Sequence, residues 1–271
     1  MQPRLFNTPF VALLTCAFLS NLPAVPLIFV LRHRFLHTEM PTVVLKPGAT
    51  VFVTGVNGLI GSHVADQLLK RGYNVRGAVR DAGKAKWLAE YFEAKYKDAK
   101  LELVSVPDMR VEGCYDSVVD GKTSLDAMLE QKSKTIRIAG IEGFVHVASP
   151  LDGISDVDEA IKIAVNGALN ALKSCAKTAS CKRFVFTSSS IAATFPRPNV
   201  DFSIDETSYN NEAMEILSKE PGKEGLFVYA ALKTETEKAV WKWTKENKPE
   251  FVVNTIVGRI SCHLGNVKLT L

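Results

Sequence analysis

A chain of 271 residues can bury one large α/β core or two modest ones, and 46% hydrophobic with 23% charged residues is ordinary for a soluble globular protein. Of the net charge of +4, residues 1–39 carry +2 through Arg4, Arg32 and Arg34 against Glu39. The +2 left for the remainder excludes a strong polyanion-binding surface, so no nucleic-acid partner is expected. Five cysteines (Cys16, Cys114, Cys175, Cys181 and Cys262) are odd in number and show no CxxC pair, which predicts reduced thiols and no metal site.

The chain opens on a mostly apolar stretch, residues 10–31, followed by Arg32, His33 and Arg34. Its length suits a membrane span, although Asn21, Pro23 and Pro26 interrupt it. Three readings compete: a signal anchor with the basic side in the cytosol, a cleaved secretory signal, or a translation start at Met40 that makes the segment an artefact. Membrane contact is expected only under the first. The chain lacks an Asn-x-Ser/Thr sequon, and the body from residue 40 onward is expected to be cytoplasmic.

Residues 49–61 read ATVFVTGVNGLIG. Val51, Phe52 and Val53 predict a short strand, glycines recur at Gly55, Gly58 and Gly61, and Ile60, Val64 and Leu68 then lie on one face of a helix. Strand, glycine turn and helix start form a geometry that holds a pyrophosphate: the backbone approaches closely, and free N–H groups at the positive helix end face the oxygens. The candidate cofactor contacts here are Thr54, Gly55, Asn57, Gly58, Leu59, Ile60 and Gly61.

Residues 74–80 alternate as a second strand. An NAD-preferring unit usually ends that strand with an acidic residue for the ribose 2′-hydroxyl; here stands Arg80, whose guanidinium suits a 2′-phosphate. Lys84 is a second candidate cation, although Asp81 sits beside Arg80. NADP(H) is therefore preferred over NAD(H). Residues 84–97 predict an amphipathic helix and 101–106 a third strand, after which Asp108 is either an adenine contact or a turn residue. Residues 110–140 are polar and weakly periodic, with one helix expected around residues 125–130.

Residues 143–147 (GFVHV) form a compact strand leading into Ala148, Ser149 and Pro150, a loop expected over the cofactor. His146 within that strand reads as a packed core histidine, because no carboxylate or second histidine lies at useful spacing. Residues 157–177 are helical, with Ile161, Val165, Leu169 and Leu172 buried and Asn166 beside them, either satisfying carbonyls or positioning a water. Residues 183–186 form another strand running into the hydroxyls Thr187, Ser188, Ser189 and Ser190, at the end where parallel sheets bind ligands. Tyr229 and Lys233 then open a helix reaching about residue 243 and share one of its faces. An ammonium there favours phenolate and lowers the phenol pKa, which makes a poised acid. Residues 195–225 read as a loop with a short helix, and 251–256 as a sixth strand.

With VTGVNGLIG (53–61), VRGAVRD (75–81), HVASP (146–150), VNGALN (165–170), FVFTSSS (184–190) and YAALK (229–233), the chain resembles the extended short-chain dehydrogenase/reductases. The likeness is to the dihydroflavonol-reductase-like and fungal aldehyde/ketone reductases, over roughly residues 48–256. The resemblance implies a doubly wound parallel sheet of six or so strands and an NADPH-dependent oxidoreductase that converts a small carbonyl substrate to an alcohol. It also implies roles: Tyr229 as proton donor, Lys233 on the nicotinamide ribose, Ser189 (Ser188 as fallback) on the substrate oxygen, Asn166 on a relay water, and Arg80 on the 2′-phosphate. A sugar-nucleotide epimerase or dehydratase, or a non-catalytic NADP-binding protein, are the alternatives. Two departures stand out. The stretch between Asp108 and His146 is longer than such reductases need. Residues 257–271 lack the expected proline loop and most of a substrate lobe, which reads as a truncated or mis-spliced product whose pocket keeps one wall, residues 195–225.

Overall fold

A computed structural model describes residues 30–32, 45–120, 140–150, 156–197, 199–220 and 225–258. In chain order the first half holds β1 (Val30–Arg32), β2 (Thr50–Thr54), α1 (Leu59–Lys70), β3 (Asn74–Val79), α2 (Lys86–Lys95), β4 (Leu101–Ser105) and α3 (Asp116–Val119). The second half holds β5 (Gly143–His146), α4 (Val157–Lys177), β6 (Arg183–Thr187), a 3-10 turn (Ser190–Ala192), α5 (Glu212–Lys219), α6 (Leu226–Asn247) and β7 (Val252–Val257). The strands form one sheet in the order β1-β7-β6-β5-β2-β3-β4. All pairs are parallel except β1 on β7, where Val30 opposes Val257 and Arg32 opposes Thr255.

The strand sequences are apolar runs because both sheet faces are buried. Val51, Val53, Val75, Val145 and Val185 face a core closed by Val64, Ala65, Leu68 and Leu69 of α1 and by Leu88 and Phe92 of α2. On the other face Phe52, Phe144 and Phe184 stand opposite one another across β2, β5 and β6, with ring centroids 4.8 and 5.4 Å apart. Ala168, Ala171 and Leu172 of α4 and Val240 and Trp241 of α6 cover them. Helix α4 starts at Asp156, whose carboxylate accepts the amides of Asp158 and Glu159 at 2.8 and 3.1 Å.

The doubly wound sheet is as expected, with three corrections. The edge strand β1 is antiparallel and comes from the end of the apolar stretch at 10–31, for which no strand is expected under any of the three readings; residues 10–29 lie outside the described residues. The helix carrying Tyr229 begins one turn earlier than expected, at Leu226, and ends at Asn247, where Lys248 takes a left-handed φ of 44°. The expected 84–97 helix is confined to 86–95. The helix expected around 125–130 and the departure at 259–271 also lie outside the described residues. Among the described residues no helix is long and apolar enough to cross a membrane.

Candidate active site

The carboxyl ends of β2, β5 and β6 lie side by side, and they lead into the glycine turn, Ala148 and Ser189 respectively. Gly55, with φ 62°, turns the chain out of β2 in a conformation that L side chains rarely adopt, and a Cβ on it would sit 3.3 Å from Ala148 Cα. A Cβ on Gly61 would be driven into the Gly55 carbonyl oxygen and would lie 2.9 Å from Val56 Cα. The missing side chain of Gly61 thus lets α1 dock against the turn, while its amide stays among the open N–H groups. Gly58 precedes α1 without a side-chain cap, and the amides of Leu59, Ile60 and Gly61 find no partner among the described residues. Asn57, Gly58 and Leu59 are exposed. Free amides at the positive end of a 12-residue helix, beside a glycine turn, fit a dinucleotide pyrophosphate.

Thr54 is a correction. Its Oγ1 accepts the amides of Val147 and Ala148 at 2.9 and 3.0 Å, so its own proton goes to His146 Nδ1 at 3.2 Å. With the side chain 1% exposed, this hydroxyl pins β2 to the end of β5 and is not free for a cofactor. His146 is then the neutral tautomer protonated on Nε2. It stacks on Phe186 at 6.2 Å between centroids, and burial, with the Lys233 charge adding to it, pushes its pKa down to about 3. It is a core histidine.

Arg80 sits exposed at the end of β3 and makes no hydrogen bond or ion pair among the described residues. The neighbouring acid is spoken for: Asp81 accepts the Lys84 amide at 3.1 Å and lies 3.8 Å from Lys84 Nζ. Lys84 is 88% exposed. Asp108 is held by Arg110, whose Nε reaches both carboxylate oxygens at 2.9 Å; those bonds keep its pKa below the usual carboxylate range. Sequence reading did not anticipate this pairing. Ala148 stands against the glycine turn.

At the end of β6 the chain brings Ser189, Tyr229 and Lys233 together. The Ser189 hydroxyl accepts the Ile191 amide at 3.4 Å and lies beside the Tyr229 phenol. Burial raises the phenol pKa while Ser189 pulls it back, so the expected depression by Lys233 is not met. Lys233 instead turns its ammonium to the Thr187 carbonyl at 3.0 Å, 5.9 Å from the Tyr229 ring centroid. It is 5% exposed, and burial pushes its pKa down to about 8 against the opposing pull of Glu237. Ser188, the fallback, donates to Glu237. Asn166 is not joined to this group. It lines a depression with Arg110, Asp158, Glu159, Lys162 and Ile163, and its side chain makes no hydrogen bond among the described residues. The hydroxyls of Ser149 and Thr187, buried at the ends of β5 and β6 without a partner among the described residues, also fit a polar ligand lying across the strand ends. Glu237 was missed although its signal was present, four residues beyond Lys233 on the same helix face. Among the described residues no cluster of three His, Cys, Asp or Glu side chains forms a metal site.

The sequence matches the NAD dependent epimerase/dehydratase family over residues 51–268. It is 39% identical over 223 residues to aldehyde reductase 2 of Sporidiobolus salmonicolor, covering 81% of this chain and 59% of that protein. It is 34% identical over 223 residues to ketoreductase adrE of Penicillium rubens, again covering 81% and 59%. Among solved structures, the yeast methylglyoxal/isovaleraldehyde reductase Gre2 complexed with NADPH superposes with a TM-score of 0.60 at 30% identity, over 76% of this chain and 56% of that one. The chain thus spans under two thirds of the length of these relatives. With six parallel strands in doubly wound order and a glycine turn opening α1, the chain belongs to the NAD dependent epimerase/dehydratase family, the extended branch of the short-chain dehydrogenase/reductases.

Proposed function

We propose that the chain reduces an aldehyde or ketone with NADPH, with Tyr229 as proton donor, Ser189 on the carbonyl oxygen and Lys233 as the cation beside them. The observation that carries this reading is the meeting of Ser189, Tyr229 and Lys233 at the end of β6, on the sheet edge that also bears the open glycine turn. The naming of relatives as aldehyde reductase and ketoreductase supports it, as does a similar solved reductase that carries NADPH. When bound, NADPH supplies hydride to the carbonyl carbon. The amides of Leu59, Ile60 and Gly61 would hold the pyrophosphate, and the Arg80 guanidinium would hold the 2′-phosphate.

The phenol pKa lies above its ordinary value, so Tyr229 keeps its proton at neutral pH and has one to give to the carbonyl oxygen. Ser189 donates a hydrogen bond to that oxygen and orients it. Lys233, with a pKa of about 8, is mostly charged at pH 7 and stabilises the phenolate left behind. The Thr54 hydroxyl takes no part in this machinery, because its hydrogen bonds are made to the end of β5.

The test is NADPH oxidation by the purified chain across a panel of aldehydes and ketones. Turnover is expected, and Tyr229→Phe is expected to lower it by at least about 100-fold with NADPH affinity within a few fold. A fully active Phe variant rules out the acid role. A wild-type chain that binds NADPH without turning over any carbonyl defeats the reductase reading in favour of a cofactor binder.

A further inference from the structure

We propose that Glu237 is the positioning residue of this site: its buried carboxylate, one helical turn beyond Lys233 and bonded to the Ser188 hydroxyl, holds the ammonium and the serine turn together against Tyr229. The proposal rests on the reductase reading for its purpose, while the coupling itself is a property of the folded chain.

Tyr229, Lys233 and Glu237 follow one another at intervals of four along α6 and share its inward face. Glu237 is 0% exposed and Lys233 5%. A lone carboxylate so deeply buried would be costly, and the fold supplies two compensations, the Ser188 hydroxyl and the neighbouring ammonium. Ser188 and Ser190 are in turn tied to the other side, their amides donating to Ile256 and Gly258 at 2.9 and 3.0 Å. The serine turn is thereby strung between β7 and α6, and Ser189 is the residue in the middle that meets Tyr229.

The groups around Lys233 leave Glu237 little competition. From β5 comes His146, which is neutral, and from β6 the Phe186 ring and the Thr187 carbonyl. Helix α4 packs Ala160 and Ala164 against Leu232, and α5 packs Ala213 and Leu217 against Ala230 and Ala231. On α6 itself stand Tyr229 and Glu237. Glu237 is the carboxylate that acts on Lys233, against the burial that drives its proton off. Without it, less of Lys233 would carry its charge at neutral pH.

The experiment is an NMR pH titration of the full chain labelled at lysine Cε, read at Lys233, together with amide hydrogen exchange of Ser190 and Ala192. In E237Q, which keeps an oxygen acceptor for Ser188, the Lys233 midpoint is expected to fall by about one unit or more, and E237D is expected to restore most of it. In S188A, which leaves the carboxylate in place, the midpoint is expected to stay, while exchange at Ser190 and Ala192 quickens about tenfold. An unchanged midpoint in E237Q overturns the proposal. Should E237Q fail to fold, unchanged exchange in S188A overturns it instead. Neither readout needs turnover, so a chain that reduces no carbonyl yet shows both shifts defeats the reductase reading and leaves the coupling standing.

Discussion

Two residues at the carboxyl edge of the sheet show how far a side chain's surroundings decide what it does. His146 lies in the apolar core with its Nδ1 taking the Thr54 proton, and its pKa falls from an ordinary 6.5 to about 3. The folded state therefore binds this proton less readily than the unfolded chain does. Its contribution to stability is present above about pH 6.5 and is lost as the pH falls toward 3. Urea midpoints measured across that range are expected to decline with acid, and to decline less steeply in His146→Phe. At neutral pH the same variant is expected to be destabilised by about 1 kcal/mol, because the Thr54 hydroxyl loses its acceptor. Arg80 is the opposite case, an exposed guanidinium with no partner among the described residues. Arg80→Ala is expected to weaken NADPH by about 1.5–3 kcal/mol, the value of a charge-assisted contact, and NADH far less. Isothermal titration with both cofactors checks this, and equal weakening of the two removes the 2′-phosphate assignment. Arg80 was legible in the sequence because it stands where an acid is the usual choice. The commitment of Thr54 was not, since its partners on β5 lie far along the chain and only the folded backbone brings them within reach.

Among the elements, α1 depends most on a single absent side chain. Its first turn rests against the Gly55–Val56 backbone so closely that any Cβ at Gly61 has nowhere to go. Gly61→Ala, which would help an isolated helix, is expected here to cost about 3 kcal/mol or more through overpacking. Thermal unfolding would show the loss, and weaker NADPH binding should accompany it because the free amides shift with the helix. The glycine spacing made this element readable, as hydrophobic periodicity did for α4 and for the central strands. Strand β1 escaped because three residues at the end of a long apolar run carry no alternation of their own, and their pairing is dictated by β7 far along the chain. The start of α6 was missed by a turn because Leu226 and Phe227 precede the motif that drew attention to Tyr229.

At the scale of the molecule, the two cores share the same strands and face opposite ways. Val51 and Val53 belong to one, and Phe52 between them to the other. Neither can be lost without stripping a face from the sheet, so unfolding is expected to be a single cooperative transition over the described body. Fluorescence dominated by Trp241, which is 5% exposed in the α6 core, should report the same urea midpoint as far-ultraviolet circular dichroism. Separate midpoints would mean that the cores melt independently. The overall topology was legible because each buried strand announces itself as an apolar run.

The three-residue strand β1 shields the outer side of β7. So short a pairing has few hydrogen bonds to lose and opens well before the rest of the sheet. Once it lifts, the six residues of β7 offer a row of unused amides and carbonyls to any other copy nearby. On gentle heating, this protein should accordingly clump before it melts, at a rate that climbs with concentration while the cores are still intact.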